Sequence, residues 1–472
     1  MNVLYAVSES VPFVKTGGLA DVAGSLPKAL RAEGVDARVI LPLYGSIADK
    51  WRLKMDFLFY TYVNVVWRRQ YCGVFKLEHE GVVFYFIDNE YYFKRDNIYG
   101  SYDDGERFAF FSKAVLEILP LLDWKPEVIN CNDWQTALIP IQISQDKSGF
   151  FDGVKTVFTI HNIEYQGRFG KDTLDDIFGL PFGLYESGIL RFENDVNLMK
   201  GAIYKADRVT TVSPSYAEEL RDPYYACGLD KVIEDNAYKL SGILNGLDVE
   251  RYDPMTDASI AKNYGFKRPS GKKACKADLC RELGFDENDD SPILACISRL
   301  VGHKGFDLVQ ESLDRILSSN IRVVILGTGD AKFENFFREA EARYCGRVSA
   351  NIMYSEKRAS KIYAGSDMML MPSRSEPCGL TQMIAMRYGA VPIVREVGGL
   401  KDTVRPLPAE DTNGFTFYAY TADEMVRAIE NALNTWNDKD KWLGLMKRDM
   451  SEDLSWSRSA KKYIEIYNSL GN

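Results

Sequence analysis

The sequence has few of the residues that zinc sites and disulfide frameworks require. It contains only three histidines, and its eight cysteines are scattered without a C-x-x-C pair. Thiols spaced in this way predict a reduced protein of the cytoplasm without structural zinc. The acidic pairs at 103–104, 289–290 and 438–440 have no partnering ligands nearby in the sequence. We therefore expect chemistry that needs no metal ion.

Long hydrophobic runs are also absent. No stretch of 18 apolar residues that could span a bilayer is present, and the first positive charge, Lys15, comes too late for the basic start of a secretory signal. The net charge of −9 argues against a nucleic-acid partner. At 472 residues the chain exceeds the size at which single cores stop growing, so two domains are expected.

Short runs of valine, isoleucine and leucine alternate with amphipathic segments along the whole chain. Strands are predicted near 3–7, 37–41, 82–87, 127–131, 155–160 and 208–212, and then near 293–297, 322–326, 350–353, 367–371 and 391–394. This alternation predicts an α/β protein with doubly wound parallel sheets. Residues 19–33 place apolar side chains on one helical face, and Pro27 is expected to kink this helix or to start a second turn capped by Ser25.

An internal repeat supports two similar domains. TGGLADV at 16–22 and VGGLKDTV at 397–404 share G-G-L-x-D, each behind an apolar strand. Equivalent strand-turn-helix positions in the two halves predict two Rossmann-like domains. The boundary is expected near 240–246, with a charged surface connection over 266–292 and a helix over the last 18 residues.

The stretch 57–111 is rich in aromatic residues, including FLFYTYVNVVW and VVFYFIDNEYYF. One interpretation is an additional antiparallel hairpin with a packed aromatic face. The other is a lip beside an active site on which sugar rings stack, because aromatic rings suit the apolar faces of pyranoses. The two interpretations are compatible.

Two loops in the second half carry residues suited to phosphate and sugar. In SRLVGHKGFDL, Arg299 and Lys304 follow a strand and can hold a diphosphate, although a solvated loop is the alternative. In SRSEPCGLTQ, a helix begins near Leu380, and its free amides favour an anion. Glu376 just before it either contacts sugar hydroxyls or caps the helix.

Two strand ends in the first half carry further candidates. His161 ends the strand of VFTIHN and is either a structural hydrogen-bonder or a contact to a sugar. Asp133 in CNDWQTAL is either an N-cap or a ligand contact. Lys15 with its two glycines stands at the mouth of the first helix, in an order that matches neither G-x-G-x-x-G nor the Walker motif.

Taken in order, the motifs resemble those of glycogen and starch synthases of the bacterial and plant type. They are KTGGLADV, YGSYDDGERFAFFS, CNDWQTALIP, TIHNIEYQG, TVSPSYAEEL, ILNGLD, SRLVGHKGFDL, LGTGD, EPCGLTQMIAMRYG and VGGLKDTV. The resemblance runs from residue 1 to about 455. It implies a GT-B fold, in which two Rossmann-like domains face each other across a deep cleft.

The resemblance assigns a role to each part of the chain. Residues 1–242 form the domain on the side of the acceptor glucan, and 243–454 form the nucleotide-sugar domain. A C-terminal helix over 455–472 crosses back to the first domain. The implied reaction is the transfer of glucose from ADP-glucose to the non-reducing 4-hydroxyl of an α-1,4-glucan, with retention of configuration and without a metal. Glycogen, starch and maltooligosaccharides are the implied acceptors.

The resemblance also implies a set of site residues. His161, Glu376, Arg299 and Lys304 are the expected catalytic residues, and the expected substrate contacts are Lys15, Gly18, Asp21, Asp133, Asn245, Tyr354, Leu380 and Thr381. Tyr354 occupies the position that stacks on the adenine. Asn132 departs from the family pattern, because many bacterial members have histidine there.

Two other functions stay open at this stage. One is a retaining GT-B glycosyltransferase with a different acceptor, similar to a sucrose synthase. The other is a non-catalytic glucan-binding relative, which the presence of all five of the charged or polar candidates Lys15, His161, Arg299, Lys304 and Glu376 argues against.

Overall fold

The computed structural model of the protein describes residues 1–471. Its contacts divide the chain into two units. The first comprises Met1–Gly246 and the chain from Trp456 onward, and the second comprises Leu247–Ser455. Each unit is built around its own sheet.

The first unit contains a nine-stranded sheet in the order β12-β11-β7-β6-β1-β2-β5-β4-β3. Its strands are β1 (Asn2–Ala6), β2 (Asp36–Pro42), β3 (Asp56–Val65), β4 (Arg68–His79), β5 (Val82–Asp88), β6 (Val128–Asn132), β7 (Lys155–Ile160), β11 (Arg208–Thr211) and β12 (Leu240–Gly242). A small sheet is formed by β8 (Arg168–Phe169), β9 (Arg191–Phe192) and β10 (Asp195–Asn197). The pairs β3–β4 and β4–β5 are antiparallel, so the aromatic stretch forms the additional hairpin expected from the sequence.

Helices connect the parallel strands of this unit. They are α1 (Gly18–Ala32), α2 (Asp49–Arg52), α3 (Glu90–Phe93), α4 (Asp104–Ile118), α5 (Leu138–Ile143), α6 (Gly183–Glu186), α7 (Leu198–Lys205), α8 (Pro214–Glu219) and α9 (Asp230–Asp235). Helix α1 buries the predicted apolar face. The second helix start expected at Pro27 is wrong, because α1 continues through this proline and Ser25 lies inside the helix.

The second unit contains a six-stranded parallel sheet in the order β15-β14-β13-β16-β17-β18. Its strands are β13 (Ile293–Ile297), β14 (Arg322–Leu326), β15 (Val348–Asn351), β16 (Met368–Met371), β17 (Val391–Arg395) and β18 (Phe415–Phe417). Its helices are α10 (Gly271–Leu283), α11 (Phe306–Ser318), α12 (Ala331–Arg343), α13 (Glu356–Gly365), α14 (Thr381–Arg387), α15 (Gly398–Thr403), α16 (Ala422–Trp436) and α17 (Lys439–Ser451).

The charged connection predicted over 266–292 is in part wrong, because α10 occupies Gly271–Leu283. The buried side of α10 includes a lysine, which hides the helix from a search for apolar periodicity. Lys272 donates to the carbonyl oxygens of Tyr363, Ala364 and Tyr388 at 3.3, 3.1 and 2.8 Å. These carbonyls lie at the ends of α13 and α14, where unpaired acceptors favour a cation.

The chain ends in α18 (Ser457–Ser469), which packs in the first unit against α1. Tyr467 donates from its hydroxyl to Asn130 Oδ1 at 2.9 Å, and Ser459 donates to the carbonyl of Leu244 at 2.5 Å. Within residues 1–471, no helix combines the length and the apolar character that crossing a bilayer requires.

Candidate active site

In each unit the chain leaves two neighbouring strands in opposite directions. In the first unit this pair is β1 and β6, and in the second it is β13 and β16. Such a reversal opens a crevice outside the carboxyl ends of the strands, where ligands of doubly wound sheets bind. The loops that follow these four strands carry most of the residues predicted from the sequence.

The loop after β1 is organised by Glu9, which the sequence reading missed. The Glu9 carboxylate is buried and accepts hydrogen bonds from the Thr16 amide at 2.5 Å and the Thr16 hydroxyl at 2.8 Å. Burial raises the pKa of Glu9, and these hydrogen bonds oppose the rise. A glutamate six residues before the K-T-G-G motif is the only sequence signal that pointed to it. Glu9 therefore fixes the turn that presents Lys15 and the glycines.

Lys15 is paired with Asp21 at the start of α1. Its ammonium lies 2.8 Å from Asp21 Oδ2, and both side chains are partly exposed. Gly18 opens the helix beside this pair, and a Cβ built on it meets no atom within 4 Å. The structure thus places the predicted residues Lys15, Gly18 and Asp21 together at the start of α1, with open space beside Gly18.

Asp133 follows β6 in a left-handed backbone conformation with a φ of 55°. Its carboxylate accepts the amides of His161 at 2.7 Å and Asn162 at 3.4 Å. Burial raises the pKa of Asp133 to about 7, against the effect of these two amides. The N-cap interpretation is wrong, because Asp133 caps no amide of the turn that follows it. Instead, Asp133 ties the end of β6 to the end of β7, and non-glycine residues in this conformation cluster at functional sites.

His161 contacts Asn132 at the ends of β7 and β6. Its Nε2 lies 2.8 Å from Asn132 Oδ1. Asn132 Nδ2 already donates to the carbonyls of Ala6 and Asn130, so Oδ1 is the acceptor and His161 Nε2 carries the proton. Burial lowers the pKa of His161 to about 3, which keeps the imidazole neutral. Nδ1 is then a hydrogen-bond acceptor.

The second unit places its two predicted cations on the loop after β13. Lys304 Nζ lies 2.7 Å from Oε2 of Glu376, which follows β16, and Ser373 donates to the same oxygen at 2.9 Å. Arg299 is exposed, and its guanidinium has no hydrogen bond or ion pair within the described residues. The capping interpretation of Glu376 is wrong, since α14 begins at Thr381 without a side-chain cap.

The glycines of the two G-G-L-x-D motifs have different surroundings. A Cβ on Gly398 would lie 2.0 Å from the carbonyl oxygen of Glu376, and one on Gly399 would lie 2.2 Å from that of Cys378. The Gly399 amide also donates to the Glu376 carbonyl at 3.2 Å. The lack of side chains at Gly398 and Gly399 lets α15 pack closely against the backbone of the loop that carries Glu376. At Gly18 the space that a side chain would occupy is open.

Leu380 and Thr381 lie at the start of α14, on the loop that begins with Glu376, and the Thr381 hydroxyl is 3.5 Å from the carbonyl of Ile297 in β13. Tyr354 lies farther away, after β15, where its ring is 74% exposed. Asn245 follows β12, two strands from β7, and its Oδ1 is buried without a hydrogen-bond partner in the described chain. Tyr354 and Asn245 therefore lie on other loops than the remaining candidates of their units.

Two family models match the chain. The starch synthase catalytic domain matches residues 2–235, and glycosyl transferases group 1 matches residues 284–443. A glycogen synthase from Clostridium botulinum is 47% identical over 100% of this chain and 99% of its own length. One from Anoxybacillus flavithermus is 48% identical over 100% of this chain and 98% of its own length. The chain belongs to the glycogen and starch synthase family.

Solved structures agree with this membership. The catalytic domain of starch synthase IV from Arabidopsis thaliana, bound to ADP and acarbose, is 34% identical with a TM-score of 0.92, covering 100% of this chain and 99% of that one. A sucrose-phosphate synthase from Thermosynechococcus elongatus has a TM-score of 0.64 at 16% identity over 99% of this chain and 98% of that one, which shows a shared fold alone.

Membership in this synthase family confirms three expectations from the sequence. The resemblance itself is correct, the fold is GT-B, and the chain is a glycosyltransferase that transfers glucosyl units to a glucan. A nucleotide sugar is the donor class of this family. The identity of the nucleotide and the roles of single residues stay predictions.

Proposed function

We propose that this synthase transfers glucose from ADP-glucose to the non-reducing 4-hydroxyl of an α-1,4-glucan and retains the anomeric configuration. The observation that carries the proposal is the grouping of Arg299, Lys304 and Glu376 at the strand pair β13–β16. Two cations and a carboxylate on adjoining loops suit a sugar diphosphate, which has two anionic groups and several hydroxyls. The related starch synthase IV, bound to ADP and acarbose, supports the adenine nucleotide and the α-glucan.

The donor diphosphate is held by the second unit. Arg299, which is exposed and unpaired in the described chain, grips one phosphate bidentately, and Lys304 contributes a point charge. Backbone amides at Leu380 and Thr381 donate to the same group. The exposed ring of Tyr354 stacks on the adenine.

Each unit also offers groups that suit the hydroxyls of a sugar. Glu376 accepts hydrogen bonds from sugar hydroxyls, and the neutral His161 accepts another at Nδ1. Lys15 reaches the distal phosphate once it exchanges Asp21 for the ligand, and the amide of Gly18 donates beside it. Asp21, Asp133 and Asn245 contact sugar hydroxyls or orient the groups that do.

The reaction breaks the bond between C1 of glucose and the distal phosphate oxygen and forms a bond from C1 to the acceptor O4. The acceptor hydroxyl attacks the same face from which the diphosphate leaves, and its proton passes to the departing phosphate, giving ADP. Arg299 and Lys304 stabilise the negative charge that grows on the leaving group more in the transition state than in the ground state. We propose that these cations replace a metal ion, and that a chelator leaves the rate unchanged.

We also propose that the enzyme works in the cytoplasm. All eight cysteines are free thiols, which suits a reducing compartment.

A donor and acceptor competition tests the whole proposal. Labelled ADP-glucose and UDP-glucose are offered with glycogen, fructose or fructose 6-phosphate, in the presence and absence of EDTA. We expect α-1,4-linked label in glycogen from ADP-glucose, and we expect EDTA to have no effect. Label in fructose or its phosphate would show a sucrose-synthase-like enzyme instead. Glycogen binding without any turnover would show a non-catalytic relative, and a trapped glucosyl-enzyme would contradict the same-face mechanism.

A further inference from the structure

Helix α18 carries hydroxyl groups along its buried side, here called the hydroxyl stripe. The stripe consists of Ser459, Tyr463 and Tyr467, which are spaced four residues apart and therefore lie on one face of the helix. Tyr463 and Tyr467 are 0% and 2% exposed. Helices that cover a sheet usually bury aliphatic side chains, because a polar group removed from water costs free energy unless it is hydrogen-bonded. The hydroxyl stripe therefore needs polar partners in the first unit.

The sheet of the first unit supplies a row of polar side chains on one face, here called the polar row. Tyr5 of β1 pairs with Asn130 of β6, and Asn132 of β6 pairs with Thr159 of β7. Asn130 and Asn132 are two residues apart and point to the same face, which their partners in the ladder share. All four side chains are 0% exposed. Buried polar groups therefore cross β1, β6 and β7, where a parallel sheet is ordinarily apolar.

Hydrogen bonds connect the hydroxyl stripe to the polar row. The Tyr467 hydroxyl donates to Asn130 Oδ1 at 2.9 Å. Because this oxygen faces α18, the other end of the amide faces β7, where Nδ2 donates to Thr159 Oγ1 at 2.8 Å. The backbone carbonyl of Asn130 accepts a hydrogen bond from Asn132 Nδ2 at 3.2 Å. Asn130 thus joins α18 to β7 through its side chain and to Asn132 through its backbone.

Tyr5 makes a second connection, and it leads toward His161. Burial raises the pKa of Tyr5, the neighbouring hydroxyls of Tyr463 and Tyr467 add to the rise, and the side chain of Asn132 opposes it. The Tyr5 hydroxyl therefore lies near both tyrosines of the stripe and near the Asn132 amide. That amide is the group whose Oδ1 lies 2.8 Å from His161 Nε2. The network that begins at α18 thus ends at a residue of the candidate active site.

We propose that Tyr467 is a positioning residue for glucosyl transfer, which acts through Asn130 and Asn132 to hold the His161 imidazole in one orientation with its proton on Nε2. Nδ1 then stays an acceptor for a hydroxyl of the donor sugar. The proposal rests on the role of His161 in the function proposed above. An apolar contact between α18 and the sheet would avoid the desolvation cost of these polar groups, whereas a satisfied polar network fixes one arrangement of side chains. Fixed geometry is what a group that contacts the substrate requires.

The test compares Tyr467→Phe, which removes one hydroxyl and keeps the ring, with Ser459→Ala. Ser459 belongs to the same stripe but donates to the carbonyl of Leu244 instead of the polar row. The chain has three histidines, so ¹⁵N NMR of the imidazoles resolves His161, and His161→Gln assigns its signals. The unchanged enzyme should give separate Nδ1 and Nε2 signals of one tautomer. Tyr467→Phe should move these signals toward a common averaged value, and Ser459→Ala should keep them.

Steady-state kinetics with ADP-glucose and glycogen complete the test. Tyr467→Phe should lower kcat about tenfold, because misplacing a catalytic group by roughly 1 Å can cost about 10²-fold. The KM for ADP-glucose should change by less than about twofold, because the loss falls on the transition state. Ser459→Ala should keep both constants.

An unchanged His161 spectrum or an unchanged kcat in Tyr467→Phe would overturn the proposal. An equal loss of kcat in Ser459→Ala would overturn it too, because the docking of α18 alone would then account for the effect. A His161 spectrum that depends on Tyr467 in an enzyme without glucosyl transfer would keep the positioning of His161 by Tyr467 and refute the proposed function.

Discussion

The ammonium of Lys304 lies 2.7 Å from Oε2 of Glu376, although the two residues are 72 positions apart in the sequence. Their side chains are only 16% and 9% exposed. The pair joins the loops after β13 and β16, the two strands from which the chain departs in opposite directions. The ammonium of Lys304 suits a phosphate and the carboxylate of Glu376 suits hydroxyl groups. The pair therefore suits a ligand that carries both.

Replacement of Lys304 by alanine should lower kcat by about 10²–10³, because one preorganised donor to the leaving group is lost. Steady-state kinetics with ADP-glucose and glycogen measure this effect. Lys361→Ala is the matched control, because Lys361 is 18% exposed and ion-paired in the same unit. Equal losses in the two variants, or a parallel loss of glycogen binding by Lys304→Ala, would indicate unfolding instead of a catalytic role.

The two glycine motifs should respond differently to alanine. Gly18→Ala has free space in a helix, so the melting temperature should hold or rise slightly while the KM for the donor increases. Gly399→Ala places a Cβ 2.2 Å from the Cys378 carbonyl, so it should lower both the melting temperature and kcat. Calorimetry and donor titrations separate the two effects. A Gly18→Ala variant with the unchanged KM would show that no ligand uses this space.

Tyr354→Ala should weaken ADP binding by about two- to twelvefold, which corresponds to the loss of one stacking contact. Tyr354→Phe keeps the ring and should bind ADP normally. Tyr418→Ala serves as the control, because both tyrosines are 74% exposed. Isothermal titration with ADP measures the affinities, and equal affinities of the two alanine variants would remove Tyr354 from the nucleotide site.

His161 should make the fold less stable in acid. Its pKa is about 3 in the folded protein and about 6.5 in an unfolded chain, so between these values the unfolded state binds one more proton. The contribution of His161 to the free energy of unfolding therefore falls by about 1.4 kcal/mol for each pH unit below 6.5. Asp133 acts in the opposite sense, because its folded pKa is raised to about 7 and its contribution is lost as the pH rises toward that value.

His161→Gln removes the first of these effects and keeps the second. Between pH 7 and pH 5, the melting temperature of the unchanged enzyme should therefore fall more than that of the variant. His79→Gln, at a histidine on β4, controls for the loss of an imidazole elsewhere in the first unit. A pH-independent difference for His161→Gln would show that folding does not lower the pKa of this imidazole.

Asp449→Ala should stabilise the second unit. Asp449 is fully buried in α17, and neither of its carboxylate oxygens has a hydrogen-bond partner in the described part of the chain. A buried polar group without a partner typically costs about 1–3 kcal/mol. Burial, reinforced by the charge of Glu452, raises the pKa of Asp449. Its folded form therefore binds a proton that the unfolded chain has lost, and stability decreases as the pH rises through that window.

The gain from Asp449→Ala should consequently be larger at pH 8 than at pH 5, as measured by calorimetry. Asp438→Ala on the same helix provides the contrast. Asp438 accepts the Lys441 amide as the N-cap of α17, so its loss should lower stability. An equal gain at both pH values would mean that Asp449 is ionised in the fold.

Much of the fold could be predicted from the sequence, because strands that are buried on both faces form short apolar runs. The run at 293–297 is apolar throughout, and the run at 155–160 is apolar at Val157, Phe158 and Ile160; β13 and β7 occupy those residues. Helix α10 was missed because its buried side includes Lys272, whose carbonyl partners lie 91 to 116 residues away. Such a pairing has no local signature.

The sequence by itself determined which chemical groups follow the strands, because strand and turn patterns are local and the motifs are contiguous. Only the tertiary structure decided how those groups pair. Glu376 pairs with Lys304 and does not cap a helix, and Asp133 accepts a hydrogen bond from the His161 amide. Glu9 accepts a hydrogen bond from Thr16 in the turn that carries Lys15. Each pairing depends on which parallel strands become neighbours, and that arrangement is fixed by packing across the whole sheet.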